Sequence, residues 1–164
     1  GGFAGAGPAS AKDFWTVPCD VRAPAALGDA ITGDVAASLR CRLIAEGANG
    51  PTTAEGDRVL AEREIDVIPD IIANAGGVTV SYYEWIQNKR MEHWSEAEVN
   101  QRLERAIKSN YRAIRDIADD KPQKGAWHDS RGLTVGAKVP VRVAAMVLAL
   151  RRIAAHYLIE GFSQ

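Results

Sequence analysis

The feature that most constrains this chain is a repeated alternation between short apolar runs and stretches of helical spacing. CDVRA at residues 19–23 is strand-like and stops at Pro24, and residues 29–39 then read as an Ala-rich helix. RLIA at residues 42–45 stops at Gly47, and residues 53–63 show helical spacing through Val59 and Leu60. A third run, residues 66–68 with Ile71 and Ile72 just beyond, ends in Asn74-Ala75-Gly76-Gly77. Runs this short cannot bury a face alone, and their alternation with helices predicts parallel β/α units joined by right-handed crossovers. The expected fold class is therefore α/β, a layered parallel sheet.

From Val78 onward the strand signals stop. Residues 95–119 open on Ser95-Glu96-Ala97-Glu98, a reciprocal-cap pattern in which the serine hydroxyl and the Glu98 carboxylate each satisfy an orphan N–H. Val99, Leu103, Ile107, Tyr111, Ile114 and Ile117 recur three or four apart, so one face of this helix should pack. Residues 141–160 place Val143, Met146, Val147, Leu150, Ile153, Ala154 and Tyr157 on one side and stop at Gly161, where a glycine suits the end of a helix. Between them KPQKGAWHDSRGLTVGAKVP, residues 121–140, reads as a loop. Residues 1–10 hold only Gly, Ala, Pro, Ser and one Phe and read as a loop cut open, with further sequence expected upstream.

Charge excludes several classes of partner. The 20 basic and 21 acidic residues are interspersed, leaving a net charge of -1 and neither a nucleic-acid footprint nor a polybasic membrane patch. No apolar stretch reaches the roughly 18 residues that span a bilayer, and the first residues lack the pattern of a signal peptide. Cys19 and Cys41 are too few and too far apart in sequence for a metal cluster or disulfide framework, which favours a reducing compartment, the cytoplasm. His93, His128 and His156 are scattered without a second ligand at helical spacing, so metal binding is not expected.

All three strand-like runs lead into small residues: Pro24-Ala25-Ala26, Gly47-Ala48-Asn49-Gly50 and Asn74-Ala75-Gly76-Gly77. In an open parallel sheet the ligand lies outside the carboxyl ends of the strands, where small side chains let the backbone approach it. Taken singly, each cluster is more simply a turn. Together they mark one crevice, and an Asn amide there can both donate to and accept from a ribose hydroxyl or carboxamide. Trp85 and Trp94 read as packing residues, and Asp70, after Pro69, as a turn former.

IAEGANGPTT at residues 44–53 and VIPDIIANAGGVTVSYYEWIQN at residues 67–88 resemble the glutamate, leucine, phenylalanine and valine dehydrogenase family, and the PTT and SYYEWIQN forms are similar to its glutamate branch. The resemblance runs from CDVRAPAAL at residues 19–27 to RRIAAHYLIEG at residues 151–161. It implies the second half of a Rossmann-like, NAD(P)-binding parallel sheet followed by C-terminal helices. On that basis residues 1–18 are a truncated loop or linker, 19–90 the half-domain, and 91–164 a helical segment with its loop at 121–140. The resemblance further implies that Ala25 and Ala26 lie against the cofactor and that Asn49 bonds the nicotinamide-side ribose. Asn74 would face both nicotinamide and substrate, Gly77 and Val78 would line the substrate pocket, and Ser81 would bond a distal carboxylate. Val78 and Ser81 are three apart and share a face if a helix starts at Gly77, and a helix N-terminus suits a dicarboxylate. A helix cap is the commoner role for such a serine.

The implied reaction is reversible oxidative deamination of L-glutamate to 2-oxoglutarate and ammonia through an imine, with NAD or NADP as cofactor and a homo-oligomer as the assembly. Two departures limit what this chain should do alone. A glycine-rich fingerprint after a first strand is missing, GGFAGAG at residues 1–7 having neither a strand before it nor a helix after it. No lysine from Lys12 to Lys138 sits in a motif matching the family's catalytic lysines, so proton transfer is expected from an N-terminal substrate domain outside this chain, which alone should be inactive. Arg22 stands where the family has an apolar strand residue. The alternatives are a related dehydrogenase acting on a branched-chain or aromatic amino acid, or a non-catalytic fragment or degenerate subunit.

Overall fold

The computed structural model describes residues 4–5, 7–119 and 139–160. It divides into two compact units, Gly1–Asp70 and Ile71–Gln164. Of the loop expected at residues 121–140, residues 121–138 lie outside the described residues, as does the stop at Gly161.

In the first unit a three-stranded, wholly parallel sheet is ordered β1 (Val21–Arg22), β2 (Leu43–Ala45), β3 (Asp66–Ile68). Val21 pairs with Leu43, and Leu43 in turn with Asp66. This is the α/β architecture predicted, part of a Rossmann-like domain. Preceding the sheet is α1 (Ala11–Thr16); between the strands lie α2 (Gly33–Ser38) and α3 (Ala54–Glu62). Ile31, Ala36, Leu39, Ile44, Leu60 and Ile65 form the core, joining α2, α3 and the central strand. Burying six such side chains supplies the driving force that strands of two or three residues lack.

Two expectations are corrected here. Residues 1–18 are not all loop: Ser10 and Asp13 form a full capping box that starts α1. The helix predicted from residue 29 starts at Gly33, because Ile31 is taken up in a parallel bridge with Thr52 and Thr32 caps the helix in its place.

Arg22 explains how α1 is held. It is only 8% exposed, and its guanidinium donates to the Phe14 and Val17 carbonyl oxygens at 2.8 and 2.7 Å and to Cys19 Sγ at 3.5 Å. It also lies over the Phe14 and Trp15 rings. A charge in an apolar strand position is tolerated because it satisfies carbonyls at the end of α1. Arg63, just past α3, does the same for α2 by donating to the Ala36 and Leu39 carbonyls. Cys19 and Cys41, remote in sequence, precede neighbouring strands, and Cys19 N–H donates to the Arg40 carbonyl at 3.0 Å. Burial pushes the Cys41 thiol up and a charge on Cys19 adds to this, against the pull of Arg22 and Arg63.

After α4 (Asp70–Ala73), which begins at the boundary, the second unit is helical: α5 (Gly76–Arg90), α6 (Glu96–Ala118) and α7 (Val141–Glu160). Ile114, Ile117 and Ala118 of α6 are buried, as are Ala144 and Ala145 of α7, and these two helices pack together. The apolar side predicted for α7 is not the buried one. Val143, Met146, Leu150, Ile153 and Tyr157 are exposed, because the alanine face allows the closer approach to α6. At the start of α6 the Ser95 hydroxyl accepts from Glu98 N–H, but the Glu98 carboxylate pairs with Arg102 at 2.8 Å, so no reciprocal bond closes the predicted box. Among the described residues no helix is long and apolar enough to cross a membrane.

Candidate functional site

The carboxyl ends of β1 and β2 meet in one surface of small residues. Ala48 N–H donates to the Pro24 carbonyl at 2.8 Å, and a Cβ added to Gly47 would stand 3.1 Å from that of Ala25. The PAA turn and the EGAN turn therefore touch through Pro24, Ala25, Gly47 and Ala48, and Ala25, Ala26 and Asn49 are exposed. No bulky side chain belongs to either turn. The arrangement presents peptide groups and one amide to whatever approaches the strand ends, as binding of a flat, polar ligand against the backbone requires.

Residues that sequence spacing did not single out fix the Asn49 turn. Glu46 is fully buried, yet its carboxylate accepts from the Thr52 hydroxyl at 2.6 Å and from the Asp70 N–H at 2.9 Å. Asp70 in turn accepts from Gly50 N–H at 2.8 Å. Gly50 has φ +52°, a left-handed conformation that glycine adopts without strain and that turns the chain just after Asn49. On the other side Asp29 N–H donates to the Gly50 carbonyl at 2.9 Å and Ile31 N–H to the Pro51 carbonyl at 2.8 Å. Asp70 is thus more than a turn former. The signal for Glu46 was its place in the EGAN motif, but pattern reading treats an isolated carboxylate as solvated.

Asn74, Gly77, Val78 and Ser81 belong to the second unit. Their small-residue cluster does not end a strand. β3 stops at Ile68, α4 intervenes, and Asn74-Ala75 form the junction from which α5 starts at Gly76. Ala75 occupies the cap position without a side-chain cap bond, and a Cβ on Gly76 or Gly77 would meet nothing within 4 Å. The two glycines of the first turn of α5 therefore have open space beside them. Val78, 71% exposed, and Ser81, also exposed, lie three apart on the first two turns. Ser81 is the sixth residue of α5, so the capping role is ruled out for it. Farther along, Trp94 packs between Tyr83 and the Arg102 guanidinium, whereas Trp85 is exposed and stacks on Tyr82 at 5.9 Å. Among the described residues no group of His, Cys, Asp and Glu could hold a metal ion.

The family model of glutamate/leucine/phenylalanine/valine dehydrogenases matches residues 4–161. The chain belongs to that family. It is related to the C-terminal, NAD-binding part of these dehydrogenases. Among curated members it is 46% identical over 119 residues to the NAD-specific glutamate dehydrogenase of Peptoniphilus asaccharolyticus, covering 73% of this chain and 28% of that protein. It is 48% identical over 118 residues to that of Clostridioides difficile, covering 72% and 28%. The crystal structure of glutamate dehydrogenase from Peptoniphilus asaccharolyticus superposes with TM-score 0.72 at 38% identity, over 85% of this chain and 31% of that one. A hetero-hexameric glutamate dehydrogenase from Thermus thermophilus in a Leu-bound form gives TM-score 0.77 at 26% identity, over 94% and 33%. The chain thus spans about a third or less of its relatives' length.

Proposed function

We propose that this chain is the nicotinamide-binding part of a glutamate dehydrogenase, and that the whole protein interconverts L-glutamate with 2-oxoglutarate and ammonia using NAD(P). Nicotinamide, when bound, would exchange hydride with the α-carbon of the amino acid. The contribution of this chain is orientation. Ala25 and Ala26 would lie along the cofactor, Asn49 would bond its ribose, and Asn74 would face nicotinamide and substrate, holding the reacting carbons at reacting distance. Proton transfer would come from a substrate domain outside this chain. The names of the NAD-specific relatives favour NAD over NADP.

The observation that carries glutamate as substrate is the exposed Val78–Ser81 face at the uncapped start of α5. An exposed hydroxyl can donate to a carboxylate, and the valine one turn before it suits the methylenes that precede that carboxylate. The exposed apolar side of α7 supports a further protein surface against it, in keeping with a homo-oligomer. The test is a substrate panel on the full-length protein that carries this chain, following reduced nicotinamide with NAD and NADP. Glutamate should exceed leucine, phenylalanine and norvaline in kcat/KM. Preference for an apolar amino acid would assign the protein to another branch of the family, and no turnover would leave a non-catalytic subunit.

A further inference from the structure

We propose that Glu46 and Asp70 are positioning residues for the nucleotide, forming a cross-brace that presets the Asn49 turn before binding; this rests on the assignment of Asn49 to the ribose. The two carboxylates act in series. Glu46 receives the Thr52 hydroxyl on one oxygen and the Asp70 N–H on the other, and Asp70 receives the Gly50 N–H. The series begins three residues before Asn49 and returns to the residue just after it, by way of the first residue of α4.

A fully buried carboxylate is a poor choice for packing alone. Removing a carboxylate from water is costly, and an apolar residue of similar volume is often neutral or stabilising in its place. What an apolar residue cannot do is accept from two donors in fixed directions at once. Here those donors lie six and 24 residues along the chain, so the carboxylate joins the turn after β2 to the turn after β3. A turn held this way loses little freedom when a ligand binds, and the nucleotide meets an amide already in place. Without the brace, part of the binding energy would go to ordering the turn. The signature is weaker nucleotide binding with turnover at saturation largely kept.

The experiment uses the full-length protein, with the dissociation constant for NAD measured by calorimetry, kcat at saturating NAD, a melting curve, and amide exchange across residues 46–53. Asp70→Ala removes the acceptor for Gly50 N–H and should weaken NAD about tenfold and speed exchange at Gly50. Asp70→Asn keeps a carbonyl oxygen there and should stay within about twofold of the parent. Glu46→Gln can keep its carbonyl oxygen on Asp70 N–H and donate its NH2 group to the Thr52 hydroxyl, so NAD binding and kcat should both stay within about threefold of the parent. If Glu46→Gln does not fold, the two Asp70 variants decide the matter. Folded Asp70→Ala with an unchanged dissociation constant, a lowered melting temperature and a reduced active fraction would show a merely structural role and overturn the proposal. Failure of Asp70→Asn to restore binding would overturn it too. A parent protein that does not bind NAD would instead sink the functional reading, and this inference with it.

Discussion

Ser81 stands on the second turn of α5 with its side chain exposed, where a serine gives a helix no capping advantage. That separates its two possible roles. Replacing it with Ala should leave the melting temperature unchanged or slightly raised, since Ala is the better helix former by roughly half a kcal/mol. If the hydroxyl bonds the distal carboxylate of glutamate, the same change should lower kcat/KM for glutamate about ten- to a hundredfold in the full-length enzyme, at about 1.5–3 kcal/mol for a hydrogen bond to a charged group. Norvaline, which makes no such bond, should lose little. Equal losses for both substrates would contradict the assignment. Arg22 offers a second test at this scale. Arg22→Met keeps an apolar stem but withdraws the donors to the Phe14 and Val17 carbonyls, so about 2 kcal/mol of stability should be lost in urea unfolding, with faster amide exchange in α1. Unchanged stability would mean that the guanidinium does not anchor α1. Neither Arg22 nor Glu46 is legible as a buried residue, because hydrophobic patterning places charges in water and says nothing of partners far along the chain.

At the scale of elements, legibility followed periodicity. β3 and α7 occupy the predicted residues, the first because Pro69 follows Asp66–Ile68, the second because Pro140 precedes it. α5 had no single apolar stripe to announce it: Val78, Tyr82 and Trp85 are exposed while Val80, Tyr83 and Ile86 are partly buried. α7 shows the complementary failure, since Val143, Met146, Leu150, Ile153 and Tyr157 of its predicted side are exposed while Ala144 and Ala145 are buried. α3 provides a prediction in which two effects have opposite signs. Gly56 lies in its first turn, and a Cβ there would come within 2.3 Å of the Ile31 carbonyl oxygen. Helix propensity alone would make Gly56→Ala stabilising by about 1 kcal/mol. The clash is with backbone that also bridges Thr52, so α3 must move away from the core, an overpacking cost of about 1–3 kcal/mol or more. Net destabilisation is expected in chemical denaturation of the 164-residue chain, and a gain in stability would show that α3 is not clamped at Ile31.

For the whole molecule, the parallel α/β order was legible from three apolar runs and the clusters after them, and the family from two motifs. The first two clusters are seen in contact, whereas the third proved to be the start of a helix. Because the chain spans about a third or less of its relatives' length, the 164 residues alone should show no glutamate-dependent reduction of NAD above a protein-free control. Weak binding is still expected, since among the described residues no strand precedes a glycine-rich turn of the kind that holds a pyrophosphate in this class of fold. The direct test is therefore a titration of the isotopically labelled 164-residue chain with millimolar NAD, read as amide shift changes by magnetic resonance. Changes are expected at Ala25, Ala26, Asn49 and Gly50, with Asn74 and Gly77 also moving. Changes confined to the opposite end of the strands, around Cys19, Arg40 and Cys41, or none at all, would contradict this.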